Sequence, residues 1–143
     1  MTQARIVVGI DGSDCSDAAL RWAEEYADAT GARLELVTAW HWPTSYGVPI
    51  AYEGFDPEQD AQTTVEKAAS SVSLAADRVQ VKVAHGPAGP ALVSASGHAA
   101  LLVIGTRGHG SLAGTLIGST SNYCVHHAHC PVVVVRDRPA DAS

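Results

Sequence analysis

The stretch Leu101-Leu102-Val103-Ile104-Gly105-Thr106-Arg107-Gly108, followed after nine residues by Gly118-Ser119-Thr120, decides the architecture. Four consecutive apolar residues closed by a glycine read as a strand buried on both faces, as strands of parallel sheets are. Gly118-Ser119-Thr120 opens a polar-capped helix that runs to about His127. Glycines at this spacing let a backbone reach positive φ and approach an anion without a Cβ clash. The N–H groups of such a loop, and of the helix start after it, point outward and can hold phosphate oxygens. This is a binding feature and does not by itself imply catalysis.

Upstream, short β-branched runs alternate with helical patterns. Arg5-Ile6-Val7-Val8-Gly9-Ile10 is a first strand that ends at Asp11-Gly12-Ser13. Ser13 or Asp14 can cap a helix whose apolar face is Ala19, Trp22, Ala23, Tyr26 and Ala27, and Gly31 stops it. Leu34 to Trp40 is the second strand. Residues His41 to Phe55 have no period and read as a long loop suited to a lid or contact role. Asp56-Pro57 starts a second helix with the stripe Ala61, Val65, Ala68, Val72 and Ala76. Val79 to Ala84 is the third strand, Gly89-Pro90 leads a short helix to about Gly97, and Val132 to Val135 is the last strand.

Strand–helix alternation predicts a three-layer α/β/α sandwich around a five-stranded parallel sheet. Right-handed crossovers give the order 3-2-1-4-5, with strands 1 and 4 adjacent where the winding reverses. Ligands of open α/β sheets sit outside the strand carboxyl ends at that switch point. Asp11 follows strand 1 and Gly105 follows strand 4, so the topology brings two polar, glycine-bearing ends together.

The whole 143-residue chain reads as one domain, with an ordered core over about 4–137 and a polar tail over 138–143. Hydrophobic residues are 46% of the chain and charged residues 17%, which favours a packed globule over disorder. A formal net charge of −6 argues against a general nucleic-acid or membrane-surface partner. An anionic ligand would then rely on local amides and a local cation such as Arg107. No apolar run approaches a membrane span, and Met1 leads into a strand with no secretory pattern. Cys15, Cys124 and Cys130 are accordingly expected as reduced thiols of a cytoplasmic protein.

Asp11 can accept hydrogen bonds from ribose hydroxyls or approach a phosphate-bound Mg²⁺. The alternative is that Asp11-Gly12-Ser13-Asp14 is a turn with a helix cap. Neither a P-loop pattern nor a dinucleotide fingerprint fits: Gly108-His109-Gly110 follows the fourth strand and lacks the acidic residue such a fingerprint needs downstream.

The pattern Gly105-x₂-Gly108-x₉-Gly118-Ser119, with Cys130-Pro131-Val132 after it, resembles the universal stress protein family in its ATP-binding class. Val7-Val8-Gly9-Ile10-Asp11-Gly12-Ser13 is similar to that family's opening strand and loop, and Gly86-Pro87-Ala88 to the segment before its third helix. The resemblance covers nearly the whole chain and implies an adenine nucleotide alpha hydrolase-like fold. Carried over by position, it places Asp11 at a ribose and the backbone near Ile10 and Ala39 at adenine, with Gly9 among the nucleotide-binding residues. It places Gly105, Thr106, Arg107 and Gly108 along ribose and phosphates, and Gly118, Ser119 and Thr120 on the phosphates. ATP is the implied ligand, with Mg²⁺ bound through its phosphates. One departure is Ala99-Ala100, where members often carry an aspartate.

The last strand is apolar on both faces and lies at a sheet edge in this topology, which favours a homodimer through Val132–Val135. Arg136, Arg138 and Pro139 could instead act as edge guards. The run Cys124-Val125-His126-His127-Ala128-His129-Cys130 has metal-ligating residue types at helical spacing, although matched geometry, not ligand density, makes a site. The leading functional expectation is an ATP-binding stress-response or signalling module without efficient catalysis. His109 could position water, but no carboxylate partner is evident for it. A slow ATP hydrolase or phosphoryl-transfer enzyme, and a nucleotide-free dimeric scaffold, are the competing readings.

Overall fold

A computed structural model describes residues 3–42, 44–45, 48–49, 54, 56–107 and 117–137. The five main strands are β1 (Arg5–Gly9), β2 (Arg33–Trp40), β3 (Val79–His85), β4 (Leu101–Gly105) and β5 (Val132–Val135). The helices are α1 (Asp14–Thr30), α2 (Pro57–Ser70), α3 (Ala88–Ala95) and α4 (Ser119–His127). All five strands run parallel in the order β3-β2-β1-β4-β5, the order expected from the sequence.

Strand alternation splits the core into two layers. On one face Ile6 and Val8 of β1, Leu34 and Leu36 of β2 and Val103 of β4 meet Ala19, Ala23 and Ala27 of α1 and Val65 of α2. On the other, Val7, Val37, Leu102 and Ile104 meet Leu92 and Ala95 of α3 and Cys124 of α4. The small residues of α1 let it lie close to the sheet. Trp22 is partly buried against the first layer and stacks on Tyr26, which is 44% exposed, so Tyr26 is a rim residue and not core.

Ser13, one of the two expected caps, is the N-cap of α1: its side chain accepts from the Ser16 amide. Gly31 ends the helix at φ 77, a left-handed position that glycine adopts without strain. Asp56 caps α2 by accepting from the Gln59 amide at 3.1 Å, with Pro57 in the first turn as predicted. The expected stripe ran too far. Ser70 and Ser71 donate their hydroxyls back to the carbonyls of Lys67 and Ala68, and the helix stops there. Val72 still packs on the core from beyond the helix, but Ala76 sits exposed in a 3₁₀ turn, and Leu74 packs instead.

Within the stretch expected to be an aperiodic loop, Thr44–Ser45 pairs antiparallel with Val48–Pro49. The expected tail over 138–143 lies outside the described residues. β5 is a sheet edge, with all four valines half-buried. Its Pro131-side and Val135 carbonyls accept from Leu102 and Thr106 of the β4 side, so by alternation the amides of Val132 and Val134 face the open edge.

Candidate functional site

The sheet order puts β1 and β4 side by side, paired Ile6↔Leu101 through Val8↔Val103, and both release the chain at one end of the sheet. A cleft of about 500 Å³, its open mouth included, lies there. Of the residues singled out in the sequence, Gly9, Ile10, Asp11, Ala39, Gly105, Arg107 and Thr120 line it. Thr106 stands behind, 9% exposed, with its hydroxyl 3.7 Å from the Cys15 thiol. Gly118 and Ser119 form the start of α4 just outside the lining, and Gly108 lies outside the described residues.

The β1 exit is a fixed turn. Oδ1 of Asp11 accepts from the amide of Ser13, at 2.9 Å, and from its hydroxyl. Gly12 takes φ 82, and the Ser16 hydroxyl donates to the Ser13 carbonyl. The turn-and-cap reading of this segment is therefore correct as local structure, and Asp11 nevertheless reaches the cleft mouth, where it is the one carboxylate among the described lining residues.

The two glycines nearest the strand ends owe their identity to packing. A Cβ on Gly105 would lie 2.6 Å from Cys15 Cβ and 2.7 Å from its carbonyl carbon, so glycine here lets α1 sit on the end of β4. A Cβ on Gly9 would meet Leu92 Cδ1 at 2.9 Å and Ile104 Cγ2 at 3.2 Å. Positive φ occurs at Gly12, Gly31, Gly54 and Gly86 among the described glycines, and Gly118 adopts φ −75, open to any residue. The sequence expectation of left-handed glycines in the cradle does not hold at positions 105 and 118.

Gly118 caps α4 without a side chain, and its amide donates to the Thr106 carbonyl. The first intrahelical bond runs from Asn122 to Gly118, so the amides of Ser119, Thr120 and Ser121 precede any intrahelical acceptor. Helix starts of this kind carry partial positive charge. Arg107, exposed at the rim, is the cation of the described lining, and it belongs to no ion pair among the described residues, where Arg5–Glu35 is the pair formed. Amide donors, one guanidinium, one carboxylate and an apolar floor of Val37, Leu92 and Ile104 suit a ligand with an anionic end, a hydroxylated middle and a flat apolar end.

Sequence reasoning missed Ser121, which is 3% exposed and bonds the β4 exit, and the floor residues Leu92 and Ile104. The Ser-Thr-Ser run after Gly118 carried a signal for the first, but only topology brings α3 under β1. A neighbouring cleft shares Asp11, Ala39 and Ala88 and is walled by Trp40, which meets His85 edge-on at 4.6 Å, and by α2. Thr38 lines it, and its buried hydroxyl has no hydrogen-bond partner among the described residues.

The cysteine- and histidine-rich segment packs inward at one point. Cys124 is fully buried against α3, with its thiol directed at the Gly89 carbonyl, 3.9 Å away. Burial, and secondarily the neighbouring Cys130, push that thiol up to about 11. Tyr123 and His127 hold a ring contact of 4.2 Å on the helix surface. Among the described residues no three of the His, Cys, Asp and Glu side chains are gathered to hold a metal ion. Likewise, no described helix is long and apolar enough to cross a membrane.

Fold and cleft together define a doubly wound α/β domain with the amide-bearing start of α4 at its switch point. The chain belongs to the universal stress protein family, whose model matches residues 3–136. It is 35% identical over 163 residues to the universal stress protein Rv1996 of Mycobacterium tuberculosis, covering 99% of this chain and 50% of that protein. The chain spans about half the length of the curated relatives it matches. A crystal structure of a universal stress protein in complex with cAMP superimposes with a TM-score of 0.68 at 26% identity, over 96% of this chain and 100% of that one. The universal stress protein from Archaeoglobus fulgidus in complex with dAMP gives 0.67 at 22% identity, over 94% and 99%, a likeness of fold.

Proposed function

We propose that this chain binds an adenine nucleotide, ATP foremost, at the cleft between the ends of β1 and β4, and acts as a nucleotide-dependent module in a stress response. The observation that carries the reading is the convergence of Asp11, Arg107 and the first turn of α4, which no side chain caps, on one apolar-floored cleft. The cAMP held by a relative of similar sequence supports it. In this arrangement the base lies against Gly9, Ala39 and Leu92, the ribose meets Asp11, and the phosphates meet the amides of Ser119 and Thr120 with Arg107. A magnesium ion would be held through the phosphates, since Asp11 already directs one oxygen at Ser13. The chain works as a cytoplasmic homodimer through the open edge of β5.

Calorimetric titration with ATP, AMP, cAMP, adenosine and GTP tests the ligand. Saturable binding of the adenine nucleotides, weakened by Arg107→Gln and abolished by Gly118→Val, is expected. No heat with any adenine nucleotide, from a protein shown to be folded, would overturn the reading. Nucleotide analysis of freshly purified, denatured protein separates ATP carried intact from ADP produced by turnover.

A further inference from the structure

We infer that Ser121 is a positioning residue of the nucleotide cleft, fixing the first turn of α4 to the end of β4 so that its amides face the phosphates. The inference rests on the nucleotide reading above. Ser121 Oγ donates to the Gly105 carbonyl, and the Thr106 carbonyl lies 3.2 Å from the same oxygen. A serine hydroxyl carries one proton, so these two acceptors share it in a forked bond. The Gly118 amide donates to the Thr106 carbonyl as well. The helix start is thereby joined to the strand end at two points, independently of the residues connecting them in sequence.

Thr106 is itself anchored on both sides. Its amide donates to the Val135 carbonyl at 2.9 Å, and its hydroxyl meets Cys15 in the first turn of α1. Ser121 therefore ties α4 to a point that β5 and α1 already hold. With the Gly118 bond alone, the first turn of α4 keeps a single polar tie to the strand end while Cys124 holds the rest of the helix in the core, and amides that must meet an anion within about 0.5 Å lose their aim. Ser121 lines the cleft but is 3% exposed, and its hydroxyl proton is committed to two carbonyls, so its hydroxyl acts through the placement of α4 and donates no bond to the ligand.

The test compares AMP with adenosine on the same protein, because a general loss of structure weakens both alike. Ser121→Ala is expected to lower AMP affinity about tenfold, the upper range for one hydrogen bond, while adenosine affinity stays within about twofold of wild type. Ser121→Thr, which keeps the hydroxyl, is expected to retain the wild-type ratio of the two affinities. Should Ser121→Ala not fold, Ser121→Cys, a weaker donor, takes its place with a smaller loss of the same sign. An unchanged ratio in the alanine or cysteine variant, an equal fall for both ligands, or a threonine variant that behaves as alanine would each overturn the inference. A wild-type protein that binds AMP while Ser121→Ala keeps the ratio sinks the positioning role alone, whereas a wild type that binds neither ligand sinks the nucleotide reading with it.

Discussion

Gly105→Ala and Gly9→Ala make the same chemical change at neighbouring strand ends and should have unequal effects. At Gly105 the new methyl would sit 2.6–2.8 Å from Cβ, C and O of Cys15, two of them main-chain atoms in the first turn of α1. Ordinary carbon contacts begin near 3.5 Å, so α1 would have to move by close to 1 Å. Overpacking of this kind costs about 1–3 kcal/mol, and a main-chain obstacle puts the cost near the top of that range. Neither glycine has positive φ, so alanine recovers about 0.4–1 kcal/mol of unfolded-state entropy at either site. The net loss for Gly105→Ala is about 2 kcal/mol. At Gly9 the nearest atom, at 2.9 Å, is the end of the Leu92 side chain, which can turn aside, and Ile104 Cγ2 at 3.2 Å needs only a few tenths of an ångström. The overpacking cost there falls near 1 kcal/mol, and the entropic gain roughly cancels it. Urea denaturation without nucleotide should separate the two variants by about 2 kcal/mol at equal m values. Equal midpoints, or a Gly105→Ala midpoint at the wild-type value with only nucleotide binding lost, would refute the packing argument and return Gly105 to the ligand.

Thr38→Val should stabilise the fold by about 1 kcal/mol, since it removes a buried hydroxyl that finds no partner among the described residues, and a loss of similar size in a thermal melt would mean that a buried water serves it. Cys124 titrates higher in the folded chain than its ordinary 9.0, so the fold binds this proton more tightly; its contribution is intact below about pH 9 and falls away as pH rises towards 11, and a Cys124→Ala variant should show a shallower alkaline loss of stability. Alkylation at pH 8 followed by mass spectrometry should label half-buried Cys130 ahead of buried Cys15 and Cys124, and simultaneous labelling would contradict the packing described. Val134→Pro removes an amide directed at the open edge and not at β4, so sedimentation should show the monomer with an unchanged circular dichroism spectrum; a variant that remains dimeric would place the interface elsewhere.

The strands and the inner part of the α1 face were legible in the sequence because each follows from a local signal, such as the apolar run 101–104 or the spacing of Ala19, Ala23 and Ala27, and the crossover rule applied to them gave the strand order. The end of α2 was not, because the Ala-rich period continues past Ser71, where the chain leaves the helix with the Ser70 and Ser71 hydroxyls bonded to the preceding turn. The cleft was legible as a place and less so as a mechanism. Periodicity and glycine spacing can say that residues 105 and 118 stand at strand and helix ends, but whether a glycine serves a ligand, a φ value or a neighbouring helix depends on what lies across the fold. At position 105 that neighbour is Cys15, ninety residues away in sequence.

Thr106 shows most fully what one dimension hides. In the sequence it is a polar residue between two members of a glycine pattern. In the fold its amide meets Val135, its carbonyl receives Gly118 and Ser121, and its hydroxyl faces Cys15. The strand end, the starts of α1 and α4 and the last residue of the open-edge strand thus meet at one residue. Hydrogen bonds that meet at one residue polarise and constrain one another, so a ligand that draws on the α4 amides acts on a frame continuous with β5. The cleft and the edge are coupled only as far as that residue moves. A measured difference in edge pairing between nucleotide-loaded and nucleotide-free protein should therefore shrink in Ser121→Ala, where the link between α4 and Thr106 is halved, and a difference of undiminished size would locate the coupling in some other part of the sheet.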